Sequence, residues 1–351
     1  MPKQFITESL TKRHTHIILF SALFLAMICV FIIDIAVGSA EISIQSFIES
    51  LFGLKTDKTV DYILFEVRLP RAITAVILGA GLSLGGLLLQ TLFRNPLAGP
   101  YVLGISSGAG LGVAIFLMAA TSFVTVYPAL AAGGQVVAAM LGAGFVFFLV
   151  LLFSWRMNDT VSLLIVGIML GAFTSSIVGI LQYFASPELV KRFVVWSLGS
   201  LSATTWLHLK LIIPMFIVAI LASFSMVKPL NAMLMGEVHA RVMGVNVRRV
   251  RILMIIISSI LVGTLTAFAG PIAFVGMTVP HMVRLVTRQV NFNVVLPGVL
   301  LIGPLVMLIC DIISQLPGRA STLPINGVTA LFGAPIVIIL IVRSRKLNAT
   351  F

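Results

Sequence analysis

The feature that most limits how this chain can fold is a series of about ten apolar runs separated by short polar segments. About 20 residues of α-helix cross the hydrocarbon layer of a bilayer, and a helix satisfies its own backbone hydrogen bonds there. The series therefore predicts an all-α polytopic membrane protein with about ten transmembrane helices. The runs cover approximately residues 17–37, 71–93, 102–120, 128–153, 161–184, 207–226, 252–269, 272–285, 294–313 and 328–342.

Composition supports this class and excludes others. Hydrophobic residues make up 59% of the 351 positions and charged residues 10%, whereas soluble domains average roughly 25% charged residues. A net charge of +12 would favour nucleic acid as the partner of a soluble chain. Here Lys and Arg lie mostly in the short segments between apolar runs, which is typical of membrane orientation, so we expect no nucleic-acid partner.

No linker or low-complexity segment divides the chain, which predicts one membrane domain. We expect a cytoplasmic N-terminal segment at residues 1–16, a transmembrane domain at 17–343 and a cytoplasmic tail at 344–351. An even number of spans puts both termini on one side, and the excess of Lys and Arg in the segments on that side favours the cytoplasm. Glycines recur four residues apart, which predicts close helix packing. They are Gly81 and Gly85, then Gly104, Gly108 and Gly112, then Gly167 and Gly171.

One polar segment is too long to be a simple turn between membrane helices. This basic insert, residues 228–251, carries five Lys or Arg residues and the single acid Glu237. A connection between packed helices needs only about 2–8 residues, and the basic charge favours the cytoplasmic side. The insert therefore predicts contact with a cytoplasmic partner.

Ionisable groups inside the apolar runs are few, which argues against an enzyme. Asp34 and Asp311 are the clear intramembrane acids, and no metal-ligand spacing surrounds them. Asp311 suits either a proton relay or a structural role as the partner of a polar group or helix end. The two cysteines, Cys29 and Cys310, lie in apolar runs, which is typical of packing residues. We expect no metal site and no cofactor.

Two arginines lie at the start of the second run. Arg68 and Arg71 are three residues apart, so a helical first turn points both in similar directions. Paired guanidinium groups at the outer rim suit the carboxylates of a docking protein. The alternative is that they anchor to lipid headgroups.

An ordered series of short motifs from about residue 67 to the C-terminus resembles the permease subunits of ABC importers for vitamin B12, iron-siderophores and haem. Each motif alone is weak, but their number and order are specific. The series is Arg68-Leu69-Pro70-Arg71, Gln90, Asn95-Pro96-Leu97-Ala98-Gly99-Pro100, Leu103-Gly104, Ser107-Gly108-Ala109, Trp196, Gly199-Ser200-Leu201, Gly236-Glu237, Ala240, Gly244-Val245, Gly270-Pro271-Ile272-Ala273-Phe274-Val275-Gly276, Val279-Pro280-His281, Arg284, Leu323-Pro324-Ile325 and Gly333-Ala334-Pro335.

The resemblance implies a ten-helix subunit of the bacterial cytoplasmic (inner) membrane that pairs with a second copy of itself. It also implies two ATP-binding cassette subunits and an external substrate-binding protein. Residues that match the family's ATPase-coupling loop are Gly236, Glu237, Ala240, Arg241 and Gly244. Residues that match the docking arginines are Arg68 and Arg71, and those near the cytoplasmic gate are Asn95, Leu97, Thr160 and Val161.

The chain departs from the family pattern at two places. Gln315 occupies the position where the family often places a docking arginine, and Arg319 follows four residues later as a candidate replacement. A common Pro-Ile-Gly is here Pro324-Ile325-Asn326. The first departure concerns the docking of the binding protein, and the second concerns the entry to the last helix.

The expected function is the translocation of an iron-siderophore or related metal chelate, with haem or vitamin B12 as alternatives. The chain has no Gly-x-x-x-x-Gly-Lys-Ser/Thr phosphate loop, so ATP hydrolysis is assigned to a partner subunit. A further alternative is an ion-coupled secondary transporter that uses Asp34 and Asp311 as coupling acids.

Overall fold

The computed structural model describes residues 2–348 apart from 39–41, 52, 54–56, 120–130, 158, 203 and 316–321. Fifteen α-helices account for most of this described part. They are α1 (Pro2–Ala36), α2 (Ile44–Leu51), α3 (Lys58–Tyr62), α4 (Leu69–Phe93), α5 (Ile105–Ala114), α6 (Ala131–Arg156), α7 (Thr160–Phe184), α8 (Pro187–Ser197), α9 (Trp206–Ser225), α10 (Val227–Leu234), α11 (Glu237–Val242), α12 (Val247–Ala269), α13 (Val275–Thr287), α14 (Phe292–Ser314) and α15 (Ile325–Asn348).

The ten apolar runs correspond to ten of these helices, which confirms the predicted fold class. Seven are long and apolar enough to cross a bilayer, namely those that contain α1, α4, α6, α7, α9, α12 and α14. The other three, α5, α13 and α15, have shorter apolar stretches. The remaining helices are short connections, and α10 and α11 form the basic insert.

The second span is longer than its apolar run. Residues 58–93 form one continuous 36-residue helix, because a π-helical turn at Ile63–Arg68 joins α3 to α4. In that turn the Leu69 N–H reaches the Leu64 carbonyl. A π turn at this place lets the helix pass Pro70, which has no N–H to donate, without ending there.

Helix α4 lies at the centre of the protein and is almost entirely buried. It packs against α14, α12 and α13. At two crossings the backbones touch, because Gly79 faces Gly303 of α14 and Gly86 faces Gly276 of α13, and neither site has room for a Cβ atom. Glycine contacts of this kind let membrane helices pack by close van der Waals contact.

The predicted glycine packing is found between α5 and α6 as well. Gly108 lies against Gly142, and Gly112 lies against the Ala138 carbonyl. Gly81 of α4 instead meets side chains of α12 and α9, and Gly85 meets the Val262 side chain and the Ser258 backbone of α12. The glycine spacing thus predicted close helix packing correctly, but it did not predict whether each glycine contacts the backbone or the side chains of the neighbouring helix.

Three long helices are packed on one side only. In α7, four residues are buried, namely Leu163, Gly167, Thr174 and Val178. Helix α9 is similar, with buried residues confined to one face, and α15 leaves Leu331 and Ile338 exposed. Apolar faces of this kind in a membrane protein contact lipid or another subunit.

Candidate functional site

The basic insert folds as two short helices, α10 and α11, between α9 and α12. Gly236 precedes α11 with φ 107°, and Gly244 follows it with φ 83°. Both values lie in the region that L side chains rarely adopt, so these positions require glycine. The Asn246 side chain then accepts a hydrogen bond from the Arg249 N–H and caps α12. The motif glycines therefore fix where α11 begins and ends.

Glu237, the first residue of α11, lies among three arginines. Its carboxylate accepts a hydrogen bond from Arg251 of α12 at 3.1 Å. Arg241 lies 3.8 Å away on the next turn, and Arg94 at the end of α4 lies 3.9 Å away. Glu237 thus joins the basic insert to the ends of two core helices.

The predicted coupling residues differ in their exposure. Ala240 is completely buried, so it packs α11 against the protein and cannot touch a partner. Val238 and Val242, four residues apart on α11, are 74% and 85% exposed, and Met235 and Met243 beside them are also exposed. The motif comparison missed these four residues, although the i, i+4 spacing of Val238 and Val242 was visible in the sequence. They form the apolar tip of the basic insert.

The predicted gate residues Asn95 and Leu97 lie directly after α4. Arg94 ends that helix in a left-handed conformation, with φ 47°. The Asn95 side chain then accepts a hydrogen bond from the Leu97 N–H at 2.9 Å. Leu97 is exposed. We refer to residues 95–97 as the gate segment.

Helix α13 holds the gate segment and the end of α4. The Gln90 side chain donates to the Met277 carbonyl at 2.9 Å and accepts from Arg284 at 3.2 Å. His281 bonds the Pro96 carbonyl at 2.8 Å. Because a carbonyl only accepts, the His281 Nε2 carries the proton.

The other predicted gate residues, Thr160 and Val161, form the first turn of α7. Asp159 caps this helix by accepting from the Ser162 N–H at 2.8 Å and the Val161 N–H at 3.2 Å. These bonds, chiefly those from Ser162, lower the pKa of the Asp159 carboxyl below its usual 3.8, and the charge of Arg251 adds to the effect. The charge of Arg251 therefore acts on Asp159 as well as on Glu237.

On the opposite side, Arg71 points inward. Its guanidinium donates to both carboxylate oxygens of Asp311, with Nε–Oδ2 at 2.9 Å and Nη2–Oδ1 at 2.7 Å. Its third nitrogen donates to Ser202 at 2.9 Å. Asp311 is completely buried. The Arg71 charge is therefore paired with a buried acid, and only 11% of the Arg71 side chain is exposed.

The neighbouring polar residues are also bonded internally. Gln315 donates to Asp34 at 3.0 Å and to Asp311 at 3.3 Å, which links α1 to α14. Asp34, Arg71, Asp311 and Gln315 together form a cluster that we call the outer polar cluster, after the side of the membrane that the sequence predicts for it. Arg68 is buried and donates to the Ile35 and Ala36 carbonyls at the end of α1. The predicted docking residue Arg319 lies outside the described residues.

Two cavities lie near this side of the protein. One, of about 240 Å³, has Arg71 and Ser202 in its lining beside Val195 and Leu198 of the α8 region. The other, of about 280 Å³, lies between α5, α7 and α8 and is lined by several hydroxyl and amide groups as well as Trp196. Within the described residues, His, Cys, Asp and Glu do not gather into a group that could hold a metal ion.

Comparison with known proteins places this arrangement in a family. A family model described as the FecCD transport family matches residues 25–343. The hemin transport system permease protein HmuU of Yersinia pestis is 32% identical over 330 residues, which cover 92% of this chain and 96% of that protein. The vitamin B12 import system permease protein BtuC of Klebsiella pneumoniae subsp. pneumoniae is 35% identical over 282 residues, which cover 80% and 83%.

A solved structure supports the same assignment. A metal-chelate type ABC transporter in an inward-facing conformation aligns with a TM-score of 0.80 and 28% identity, over 93% of this chain and 99% of that chain. The fold and the family inferred from the motif series are thereby confirmed. With a family match that spans most of its length, this polytopic membrane protein belongs to the FecCD transport family and has the permease fold of an ABC importer.

Proposed function

We propose that this chain is the permease subunit of an ATP-driven importer that carries an iron-siderophore or a related metal chelate across the bacterial cytoplasmic membrane. The named cargo of the relatives, hemin and vitamin B12, and the metal-chelate type of the structural neighbour support this class of substrate. Hemin or vitamin B12 itself is the alternative cargo for this chain.

The apolar tip of the basic insert is the observation that carries the proposal. Val238 and Val242 are among the most exposed large apolar side chains of the described residues. They lie within the basic insert, whose charge favours the cytoplasm, where no lipid chain can cover them. An exposed apolar patch beside charged residues is typical of a protein–protein contact. We assign it to an ATP-binding cassette subunit.

The transport complex then contains two copies of this chain, two ATP-binding cassette subunits and an external binding protein. Both termini lie in the cytoplasm. The one-sided packing of α7 and α15 leaves apolar faces that a second copy can cover. Closure of the ATPase pair moves the two basic inserts, and this displacement switches the central pathway between outward and inward access.

For docking of the binding protein, Arg71 is the better candidate of the two predicted arginines. It lines the 240 Å³ cavity, and its Nη1 atom faces Ser202 at the cavity side. A carboxylate of the binding protein that enters this cavity can reach Arg71. Arg68 is buried against the end of α1, and its docking role stays a prediction.

Reconstitution tests the proposed function. The permease is combined with its ATPase and binding protein in proteoliposomes, and uptake of a radiolabelled iron hydroxamate siderophore is measured with and without ATP. We expect ATP-dependent uptake that Val242→Asp abolishes, because a buried charge at the contact prevents ATPase binding. Val290→Asp is the matched control, since Val290 is exposed in the segment after α13 at the same end of the protein.

The outcomes separate the candidate functions. Uptake that follows an imposed proton or sodium gradient without ATP would replace the importer by the ion-coupled alternative. ATP-dependent uptake of hemin or cobalamin, with none of the iron siderophore, would retain the importer and change the cargo. Val242→Asp complexes that transport normally would remove the apolar tip from the ATPase contact.

A further inference from the structure

The end of α4 is attached to two different parts of the protein within one short stretch. On one side, His281 of α13 bonds the Pro96 carbonyl at 2.8 Å. On the other side, the Arg94 guanidinium lies 3.9 Å from the Glu237 carboxylate of the basic insert. Gate-segment residue Asn95 follows Arg94 directly. The gate segment is therefore held between α13 and the element that we assign to the ATPase contact.

We propose that Arg94 and His281 are positioning residues that hold the gate segment between the basic insert and α13, so that movement of the insert is transmitted to Leu97. This inference rests on the proposed function. Neither residue was among the gate or coupling positions that the motif series indicated.

The attachment to α13 is rigid. His281 donates from Nε2 to a backbone carbonyl, and one helical turn further on Arg284 donates to Gln90, which itself donates to the Met277 carbonyl. Gln90 is buried, so its hydrogen bonds are shielded from water. Bonds to backbone atoms on both sides of the α4 end fix its position against α13.

The attachment to the basic insert is looser. Arg94 is 54% exposed and its distance to Glu237 is near the limit of an ion pair. Glu237 itself is held by Arg251 of α12 at 3.1 Å, so it follows α12 and α11 as they move. An ion pair of this kind can strengthen or break with a small displacement of the insert, whereas the bond to His281 cannot lengthen without being lost.

Arg288 provides a matched control for Arg94. Both end a helix in a left-handed conformation, with φ 47° for Arg94 and 52° for Arg288. Both are exposed and lie at the same end of the protein. Within the described residues, Arg288 forms no ion pair, and it follows α13 rather than the gate segment. Arg94→Gln and Arg288→Gln therefore remove the same charge from similar helix ends, and only Arg94→Gln also removes an ion pair.

The test measures coupling separately from assembly. The variants Arg94→Gln, His281→Leu, His281→Gln and Arg288→Gln are reconstituted with the ATPase and binding protein. ATP hydrolysis and uptake of the radiolabelled iron hydroxamate siderophore are measured together. A Leu97→Cys reporter, in a background with Cys29→Ser and Cys310→Ala, is labelled from the ATPase side with a membrane-impermeant maleimide, with and without nucleotide.

We expect Arg94→Gln and His281→Leu to lower the uptake per ATP hydrolysed by about two- to thirtyfold, the range that coupling residues show. The nucleotide-dependent difference in labelling of the Leu97→Cys reporter should shrink in parallel. His281→Gln should retain most of the coupling, because its amide can still donate to the Pro96 carbonyl. Arg288→Gln should behave as the parent protein.

The contrary results are distinct. Equal uptake per ATP in Arg94→Gln and Arg288→Gln, or nucleotide-dependent labelling unchanged in His281→Leu, would overturn the positioning role while leaving the importer intact. A general loss of complex assembly in His281→Leu that His281→Gln does not rescue would also count against it. Absence of ATP-driven uptake by the unsubstituted complex would overturn the proposed function and this inference together.

Discussion

Replacement of Arg71 by Met tests whether the outer polar cluster is a structural element of the fold. The Arg71 guanidinium makes three hydrogen bonds to Asp311, at 2.7 to 3.1 Å, and Asp311 is completely buried. Without Arg71, the Asp311 carboxylate keeps the Gln315 amide, which also serves Asp34, and a side-chain contact with Asp34, but no charged partner within the described residues. Removing one partner of a buried ion pair costs about 3–5 kcal/mol, because the other charge stays buried without compensation.

The assay is unfolding of the purified permease by increasing SDS in mixed micelles, followed by tryptophan fluorescence. Arg71→Met should lower the free energy of unfolding by about 3–5 kcal/mol. The double variant Arg71→Met, Asp311→Leu should recover most of this loss, since an apolar pair of similar volume often replaces a buried ion pair without cost. Arg192→Met is the control, because Arg192 is exposed on α8.

Two results would refute the reasoning. One is an Arg71→Met variant no less stable than Arg192→Met. The other is additivity, in which the double variant is destabilised by the sum of the two single changes instead of showing an interaction energy above about 2 kcal/mol. A stable double variant also tests the proposed docking role, because it is folded but lacks Arg71. Its affinity for the binding protein should be lower than that of the parent protein, and the remaining affinity should depend less on salt concentration.

Three further predictions concern helix ends and packing. Asp159→Ala should loosen the first turn of α7, which is measured as faster hydrogen exchange of its amides. Because the pKa of Asp159 is lowered in the folded protein, the carboxylate stabilises the fold above its ordinary pKa, and this stabilisation is lost as the pH falls through the lowered pKa. The exchange rates of the parent protein and of Asp159→Ala should therefore converge in acid. Asn326→Gly should destabilise the protein by about 1–2 kcal/mol in the same SDS assay, since the Ala273 N–H loses its 2.9 Å acceptor, and Asn326→Asp should not. Gly303→Ala should cost about 1–3 kcal/mol or more, because the new Cβ would overlap the α4 backbone, whereas Gly179→Ala, where nothing lies within 4 Å, should be neutral.

Hydropathy was sufficient to predict the helices because each apolar run is a local property of the chain. The spans begin and end within a few residues of the predicted positions, except where a π turn extends the second span back to Lys58. That extension depends on backbone geometry before Pro70, which no apolar pattern records. The short length of α13 was visible in the sequence, because the eighth run, residues 272–285, is the shortest of the ten.

The candidate site was only partly predictable, because its contacts join residues far apart in the chain. The motif series pointed to Glu237 and Ala240 alike. In the structure the Glu237 side chain is partly exposed, whereas Ala240 packs inward and is completely buried. The apolar tip needed the structure to be recognised. Likewise, Gln315 was noticed as a missing arginine, while its two bonds to Asp34 and Asp311 could not be inferred from position 315 alone.

Asn326 illustrates the same limit. In the sequence it was a departure from a common Pro-Ile-Gly motif, with no evident role. In the structure its side chain accepts from the Ala273 N–H, and its backbone N–H donates to the Leu198 carbonyl. One residue thus ties the start of α15 to two other connections, which a glycine could do only through its backbone.

The bridge formed by Gln315 also has an evolutionary consequence. Because one amide serves two buried carboxylates from α1 and α14, a change at position 34, 311 or 315 alters the hydrogen bonding of the other two. In lineages related to this chain, we expect these positions to covary as a group. Where an arginine replaces Gln315, the acid at position 34 gains a charged partner, and the surface that we propose for docking of a binding protein should change with it.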